Sequence, residues 1–427
     1  MHPDVCVVLP TVRDDEARDC VRAYADNARR HGFDTDRLEF LLVTESFCDV
    51  AGMEQLLEET GLAGRVFDGP AREAWLAEQG VDDHAALIPE ASHAQTSFGL
   101  LYLWANGHDY GVFVDDDTRP LPEWNYFGRH LANLGHEGSV THVGSDESWV
   151  NVLWQNQADH GLYPRGSPYG AMGETVRTSD RPAGRVVASQ GLWTNVPDLD
   201  AVRILGDGDL QGQARTRLTA DDYGDDFVAA PGNYLTVCSM NLAFRRDVVP
   251  AFYQLPMDDN DWGVGRFDDI WSGVILKRAA DLAGDAVLSG GPLCRHDKAP
   301  RPTFDDLTAE APGLQLNEYL WTVVDDVAVD RPADGLSEDG DGVDEGTAPG
   351  PDAYAAVARA IADRLATGDF SSWTNGAFLN HVGETTLDWL DCLDALAPID
   401  AAPGTGTADP TEGRADAGLA GARPTDD

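Results

Sequence analysis

The first third of the chain alternates short apolar runs with longer amphipathic stretches. Val5 to Leu9, Leu38 to Val43 and Tyr110 to Val114 are apolar and rich in β-branched residues, which is typical of buried strands. The segments between them predict helices and one more strand: helices at about Asp15 to His31, Met53 to Thr60 and Ser92 to Asn106, and a strand at Arg65 to Phe67. This order predicts an α/β fold with a mixed, mostly parallel sheet flanked by helices, in which ligands bind at the carboxyl ends of the strands.

Changes of composition along the chain predict four parts. Residues 1–325 form the α/β domain, although the segment after residue 120 is less regular and rich in Trp, Gly and Pro. Residues 326–352, dominated by Asp, Gly, Glu and Pro, predict an acidic linker. Residues 353–398 predict a small helical appendage at the C-terminal side. Residues 399–427 lack hydrophobic periodicity and predict a disordered tail.

The chain is strongly acidic, with 74 Asp and Glu against 30 Lys and Arg and a formal net charge of −44. Its only lysines are Lys277 and Lys298. Self-repulsion of this size opposes a compact fold in dilute buffer, whereas molar salt shortens the Debye length to about 3 Å. We therefore expect a halophilic protein, and the 11 Trp argue against a disordered acidic chain. No basic patch is visible, so nucleic acid is not an expected partner.

The cysteines and the hydropathy pattern bear on location. Six cysteines are scattered without a CxxC pair, which predicts reduced thiols in a cytoplasmic protein. The N-terminus leads directly into a strand-like segment, and no apolar run is long enough to cross a bilayer. We therefore expect a protein that is not an integral membrane protein. Homo- and hetero-oligomers both stay open.

The triplet Asp115-Asp116-Asp117 directly follows the apolar run that ends at Val114. Alternate residues at the end of a strand share a face, so Asp115 and Asp117 are expected in one site while Asp116 faces elsewhere. Hard divalent cations prefer such oxygen ligands. In so acidic a chain, chance runs of Asp are the competing interpretation.

Five further segments carry candidate chemistry. Thr11 and Arg13, in the loop after the first strand, could hold a nucleotide base or ribose, or form an ordinary turn. His296 is a candidate metal ligand, and Lys298 is a candidate phosphate contact in a chain almost without lysine. Asp268 and Asp269 stand beside aromatic residues and could act as acid and base, although one of them could instead cap a helix. The last two segments are apolar runs that contain Trp193 and Asn241. These two side chains could contact substrate or belong to the core.

Seven segments in order resemble one family: VVLPTVR, VFVDDD, PRGSPYG, SQGLWTNVPDLDA, CSMNLAF, GRFDDIWSG and RHDKA, between about residues 4 and 321. Together they resemble the reversibly glycosylated polypeptides, which include the UDP-arabinopyranose mutases. The resemblance implies a GT-A-like nucleotide-diphosphosugar fold and a cytosolic, Mn²⁺- or Mg²⁺-dependent enzyme acting on a UDP-sugar. It also implies that Asp115 to Asp117, His296 and Lys298 match the family's metal and phosphate elements.

The resemblance further implies that Arg165 matches one arginine of a catalytic pair in that family. The second arginine of the family lies seven residues earlier, where this chain has Ala158. Arg177, Arg181 and Arg185 are the candidates to replace it in space. Three functions therefore stay open: a pyranose/furanose mutase on a UDP-sugar, a glycosyltransferase that moves the sugar to a glycan or protein, and a non-catalytic sugar-nucleotide-binding partner of an active homologue.

Overall fold

The computed structural model describes residues 3–92, 95–155, 161–173, 175–257, 260–328 and 349–396. Its strands are β1 (Val5–Pro10), β2 (Leu38–Val43), β3 (Ala63–Phe67), β4 (Tyr110–Val114), β5 (Thr118–Pro120), β6 (Ser139–Ser145), β7 (Trp149–Val150), β8 (Val176–Pro182), β9 (Val186–Asn195), β10 (Phe227–Ala229), β11 (Tyr234–Leu235), β12 (Asn241–Arg245) and β13 (Ala286–His296). Its helices are α1 (Asp14–Arg30), α2 (Val50–Thr60), α3 (Gly69–Gln79), α4 (Gln95–Asn106), α5 (Tyr126–Leu134), α6 (Ala201–Asp207), α7 (Asp268–Ala283), α8 (Thr303–Asp325), α9 (Pro351–Thr367) and α10 (Ala377–Ala395).

One large mixed sheet runs through the molecule in the order β3-β2-β1-β4-β12-β9-β13-β10-β6-β8, with β5 added beside β13. The first four strands pair in parallel. Strand β12 is antiparallel to both β4 and β9, and β9 is parallel to β13. Strands β1, β4, β9 and β13 therefore all point the same way, and their carboxyl ends meet at one edge of the sheet. The predicted α/β class is confirmed.

Two apolar cores lie on opposite faces of this sheet. Alternate residues of β1 divide between them: Val5, Val7 and Leu9 belong to one core, and Cys6 and Val8 to the other. Helices α1 and α2 cover the first core, whereas α4 and the C-terminal helices cover the second. A strand that buries both faces reads as a continuous apolar run, which is why the N-terminal strands were easy to predict.

The largest departures from the predicted elements are two helices. The sequence analysis missed α3 and treated the region of α8 as irregular. Helix α8 contains Pro312 followed by Gly313, two residues that normally end a helix. Tertiary packing outweighs that local cost, because Leu316 and Leu320 are fully buried and Phe267 closes over Gly313.

Helices α9 and α10 confirm the predicted C-terminal helices and pack on the α/β body. Near the start of α9, the Arg185 guanidinium donates to the Pro349 carbonyl (2.6 Å), and the Tyr354 hydroxyl donates to Asp285 (2.6 Å). The Trp104 indole donates to the Leu396 carbonyl at 3.2 Å. The appendage is thus part of the second core. Most of the predicted linker and all of the predicted tail lie outside the described residues.

Other predictions concern thiols and membranes. All six cysteines are free, and five of them are buried. In the part of the chain that the structure describes, no helix is both long enough and apolar enough to cross a bilayer.

Candidate functional site

Several polar residues, most of them predicted, converge at the carboxyl edge of the sheet. Thr11 follows β1, Asp115 follows β4, Asp198 lies shortly after β9, and His296 ends β13. Strand β5 pairs antiparallel with β13 and sets Thr118 opposite His296. The Asp297 amide also donates to the Asp117 carbonyl at 2.8 Å. Backbone pairing therefore brings the aspartate triplet and the end of β13 together across some 180 residues of sequence.

The central carboxylate of the triplet, Asp116, faces the loop after β1. It accepts hydrogen bonds from the Thr11 hydroxyl (2.7 Å) and from Arg13 Nε (3.1 Å), and Arg13 Nη2 closes on its other oxygen. Burial raises the pKa of Asp116, and the contacts with Thr11 and Arg13 oppose that shift. Thr11 and Arg13, predicted to contact a base or ribose, thus hold Asp116 in this structure.

The third carboxylate, Asp117, faces His296. Asp117 Oδ1 lies 3.9 Å from His296 Nε2. The other ring nitrogen, Nδ1, lies 2.8 Å from the Val196 carbonyl, and because a carbonyl only accepts, Nδ1 carries the proton. Nε2 is therefore the ring nitrogen that remains for a metal ion, and it is the one that faces Asp117.

The first carboxylate, Asp115, has other carboxylates as its charged neighbours. Burial raises the pKa of Asp115 well above its usual range, and the neighbouring Asp117, Asp116, Asp269 and Asp198 raise it further. An anion-rich pocket of this kind is a poor place for a free carboxylate and a favourable place for a cation.

A second group of buried carboxylates, Asp198 and Asp269, is neutralised by Arg165. These residues form one wall of the site, and the aspartate triplet forms the other. Arg165 is 9% exposed and donates to Asp198 Oδ2 (3.2 Å) and to both oxygens of Asp269 (3.3 Å each). It also donates to the carbonyl of Arg266, a non-glycine residue with a φ of 62°. Burial alone would raise the pKa of Asp198, but Arg165, Lys298 and His296 hold it below its usual value. All three nitrogens of the Arg165 guanidinium therefore donate to protein groups.

Lys298 lies near Asp198, on the side of the site that contains Arg165 and Arg266. Burial lowers the pKa of its ammonium group, the nearby Asp198 opposes that shift, and Arg266 adds to it. Arg266 itself pairs with Glu310, from Nε to Oε1 at 2.8 Å. No role in the site was predicted for Asp198, Arg266 or Glu310, although the first two lie within the quoted motifs. Asp198 follows the long apolar run of β9, which is the same signal that marked Asp115; the other two carry no such mark.

The remaining predicted residues lie in the interior or at its border. Trp193 is 1% exposed, and Asn241 is fully buried. The Asn241 amide donates to the Leu192 and Pro292 carbonyls (3.0 Å each) and accepts from the Tyr126 hydroxyl (2.8 Å). Neither side chain offers surface to a substrate in this arrangement.

The two predicted acid/base residues differ in their surroundings. Asp268 and Asp269 both lie in the first turn of α7, and Phe267 rather than an aspartate occupies the cap position. Asp269 is engaged with Arg165, whereas Asp268 keeps a partly exposed side chain. Of the two residues, Asp268 is the more exposed.

None of the candidate replacement arginines approaches the site. Arg177 and Arg181 lie exposed on β8, at the outer end of the sheet. Arg185 pairs with Asp285, which lies just before the start of β13 and hence at the opposite edge of the sheet. Ala158 lies outside the described residues.

The structure brings two of the predicted metal ligands near each other. Asp117 and His296 face each other, but across the described ranges no group of three or more His, Cys, Asp or Glu side chains stands ready to hold an ion. The chemistry of the donor set nevertheless fits a divalent cation: a histidine in the ligating tautomer, Asp117, and the unneutralised Asp115.

The order of the strands and the polar residues at one edge of the sheet together define the class of protein. It is an α/β protein whose candidate ligand site lies at the carboxyl ends of parallel strands. Comparison with known proteins identifies the family. The model of the reversibly glycosylated polypeptide family matches residues 137–361, a little over half of the chain. The chain belongs to this family, as the ordered motifs predicted, and the expectation of an enzyme is confirmed with it.

Individual relatives are consistent with this assignment. The chain is 26% identical over 309 residues to the probable UDP-arabinopyranose mutase 1 of Zea mays, covering 72% of this chain and 71% of that protein. The same values hold for UDP-arabinopyranose mutase 1 of Oryza sativa subsp. japonica. UDP-arabinopyranose mutase 3 of Arabidopsis thaliana is 32% identical over 216 residues, which cover 49% of this chain and 52% of that protein.

Solved structures show weaker similarity. A mannosyltransferase of Pyrobaculum calidifontis in complex with GDP-Man and Mn²⁺ shares 14% identity at a TM-score of 0.33, covering 93% of this chain and 85% of that one. The glucosyl-3-phosphoglycerate synthase of M. tuberculosis shares 12% identity at the same TM-score, covering 75% and 78%. Similarity at this level supports no conclusion about function.

Proposed function

We propose that this chain is a divalent-metal-dependent enzyme that interconverts the pyranose and furanose forms of a UDP-sugar. One observation carries the proposal: Asp117, His296, Asp115 and Lys298 lie together at the carboxyl edge of the sheet. The names of the mutase relatives support the substrate class. Cytoplasmic location and use of Mn²⁺ or Mg²⁺ belong to the same proposal.

The charges of the site suit a sugar diphosphate. A divalent cation held by Asp117 and His296, with Asp115 close by, would neutralise the carboxylates and bind the phosphate oxygens. Lys298 would contribute a fixed positive charge towards the departing UDP when the bond to the anomeric carbon breaks. Fixed charges that face developing negative charge are often the largest catalytic contribution.

Contraction of the ring requires a proton to move from the hydroxyl that closes the furanose ring to the oxygen that leaves the pyranose ring, after which the diphosphate bonds again to the anomeric carbon. Asp268 is the better-placed carboxylate for this role, because its side chain is partly exposed at the start of α7 whereas Asp269 is engaged with Arg165. Arg165 acts through Asp198 and Asp269 in this scheme and does not touch the sugar.

A second candidate function is transfer of the sugar from the UDP donor to a glycan or protein. Two observations favour it: Ala158 stands where the family has an arginine, and Arg165 directs four side-chain hydrogen bonds to protein groups. The donor half of the site would be the same.

The test is to incubate the purified protein in molar KCl with Mn²⁺ and either UDP-arabinopyranose or UDP-galactopyranose. A furanose product separated by chromatography supports the mutase, and its absence with every UDP-sugar overturns it. Radiolabel reaching a separate glycan or protein supports the transferase. His296→Gln is the matched variant, since it removes the ligand nitrogen, and Arg295→Gln is its neighbouring control. UDP-sugar binding without either product would indicate a non-catalytic binding partner.

A further inference from the structure

Among the arginine and lysine side chains of the described residues, only that of Arg13 pairs with carboxylates of the aspartate triplet. Two nitrogens of its guanidinium, Nε and Nη2, bind both oxygens of Asp116. The Thr11 hydroxyl holds the same carboxylate and accepts from the Arg13 amide at 3.1 Å. Asp116 is 5% exposed, so it serves as a buried anchor that fixes the direction of the Arg13 side chain.

The anchored guanidinium also reaches the face of the triplet that meets His296. Arg13 Nη2 lies 3.4 Å from Asp117 Oδ2, while Asp117 Oδ1 faces His296. The side chain of Arg13 is 31% exposed, and its Nη1 makes no hydrogen bond to the described part of the chain. Arg13 is thus partly exposed, and its Nη1 is a donor that no group of the described chain uses.

From this geometry we propose that Arg13 is a phosphate-positioning residue, anchored by Asp116, whose guanidinium neutralises Asp117 until a divalent cation and the substrate's diphosphate replace that contact. The inference rests on the proposed function and assigns Arg13 to the diphosphate instead of the base or ribose. A planar guanidinium binds phosphate oxygens through two parallel hydrogen bonds, whereas a neutral base or ribose gains little from a fixed charge.

The proposal makes opposite predictions for two ligands. With metal alone, Arg13 is a like charge that competes for Asp117, so its removal strengthens binding. With metal and diphosphate together, Arg13 contributes a direct contact, so its removal weakens binding. A purely structural role, in which Arg13 keeps the triplet in shape, would weaken both.

The experiment measures Mn²⁺ binding without nucleotide by electron paramagnetic resonance of the free ion, and UDP and pyrophosphate binding with Mn²⁺ by calorimetry. The variants are Arg13→Gln, Arg13→Lys and Asp116→Asn. Arg18→Gln is the matched control, because Arg18 lies one turn further along on α1 and pairs with the exposed Asp49 at 2.9 Å. Circular dichroism confirms that each variant is folded, and Arg13→Lys retains the charge if Arg13→Gln does not fold.

We expect Arg13→Gln to bind Mn²⁺ alone about two- to fivefold more tightly and UDP with Mn²⁺ about 10- to 100-fold more weakly. Arg13→Lys should recover part of the UDP affinity. Asp116→Asn should weaken UDP binding about three- to tenfold without weakening Mn²⁺ binding, since it only frees the anchored side chain.

Weaker Mn²⁺ binding by Arg13→Gln, or unchanged UDP binding, overturns the assignment of Arg13 while the proposed function stands. Arg13-dependent pyrophosphate binding without any UDP binding by the unaltered protein overturns the proposed function and supports the role of Arg13. Binding of neither anion overturns both.

Discussion

The two walls of the site use buried charge in opposite ways. On one wall, Asp198 and Asp269 are paired with Arg165, and the pKa of Asp198 lies below its usual value. On the other wall, Asp115 has carboxylates for neighbours, and its pKa lies well above the usual range. The first wall is complete without a ligand, whereas the second needs a cation. The unneutralised wall is therefore the one that marks the binding site.

The largest effect is expected from breaking the neutralised wall. Arg165→Met leaves Asp198 and Asp269 buried without their cation, which should cost about 3–5 kcal/mol of unfolding free energy. Chemical denaturation in molar KCl measures this. The control is Arg22→Gln, because the Arg22–Glu59 pair is about half exposed and such pairs contribute about 1 kcal/mol or less. A loss for Arg165→Met no larger than for the control would contradict this account of the wall.

The second-largest effect is expected from a change of Lys298. Lys298→Met should weaken the binding of UDP in the presence of Mn²⁺ by about 10- to 100-fold, because one charge-assisted contact contributes about 1.5–3 kcal/mol. Calorimetry measures the affinity. Stability should change much less than for Arg165→Met, since Asp198 keeps Arg165 as a partner. Equal UDP affinity in both proteins would remove Lys298 from the site.

A smaller effect tests the unneutralised wall directly. Burial and the neighbouring carboxylates raise the pKa of Asp115, so its charged form is disfavoured in the fold, and Asp115→Asn should stabilise the metal-free protein at neutral pH. The same change should abolish the extra stability that Mn²⁺ gives to the unaltered protein. Thermal unfolding with and without Mn²⁺ measures both, and Asp297→Asn, an exposed carboxylate, is the control. Destabilisation of the metal-free variant would be the contrary result.

The smallest effect is expected from a change of Arg295, at the outer border of the site. Arg295 and Asp297 form an exposed pair at 2.7 Å, with about half of each side chain in solvent. Arg295→Gln should change the unfolding free energy by about 0.5 kcal/mol or less and leave UDP affinity unchanged. A loss of affinity comparable to that of Lys298→Met would show that the site extends to this pair.

The contrast also explains how much could be predicted from sequence. Buried strands such as β2 and β4 have the predicted bounds, because burial on both faces leaves a continuous apolar run. Helix α8 was missed because Pro312 and Gly313 carry local signals against a helix, and only tertiary packing overrides them.

The site was predictable to the same extent. Asp115 and Asp117 carry a visible signal, since they follow a buried strand. That Asp117 faces His296 depends on the β5–β13 pairing, which no local pattern encodes. The neutralising role of Arg165 likewise depends on partners 33 and 104 residues away.

The contact between Trp104 and Leu396 has a consequence for synthesis of the protein. These residues are 292 positions apart, and Tyr253 likewise stacks on Trp389 with ring centroids 4.8 Å apart. A chain emerging from the ribosome therefore exposes the second core until helix α10 has left the exit tunnel. Because exposed apolar surface favours aggregation, the nascent protein should depend on chaperones or on prompt completion of translation.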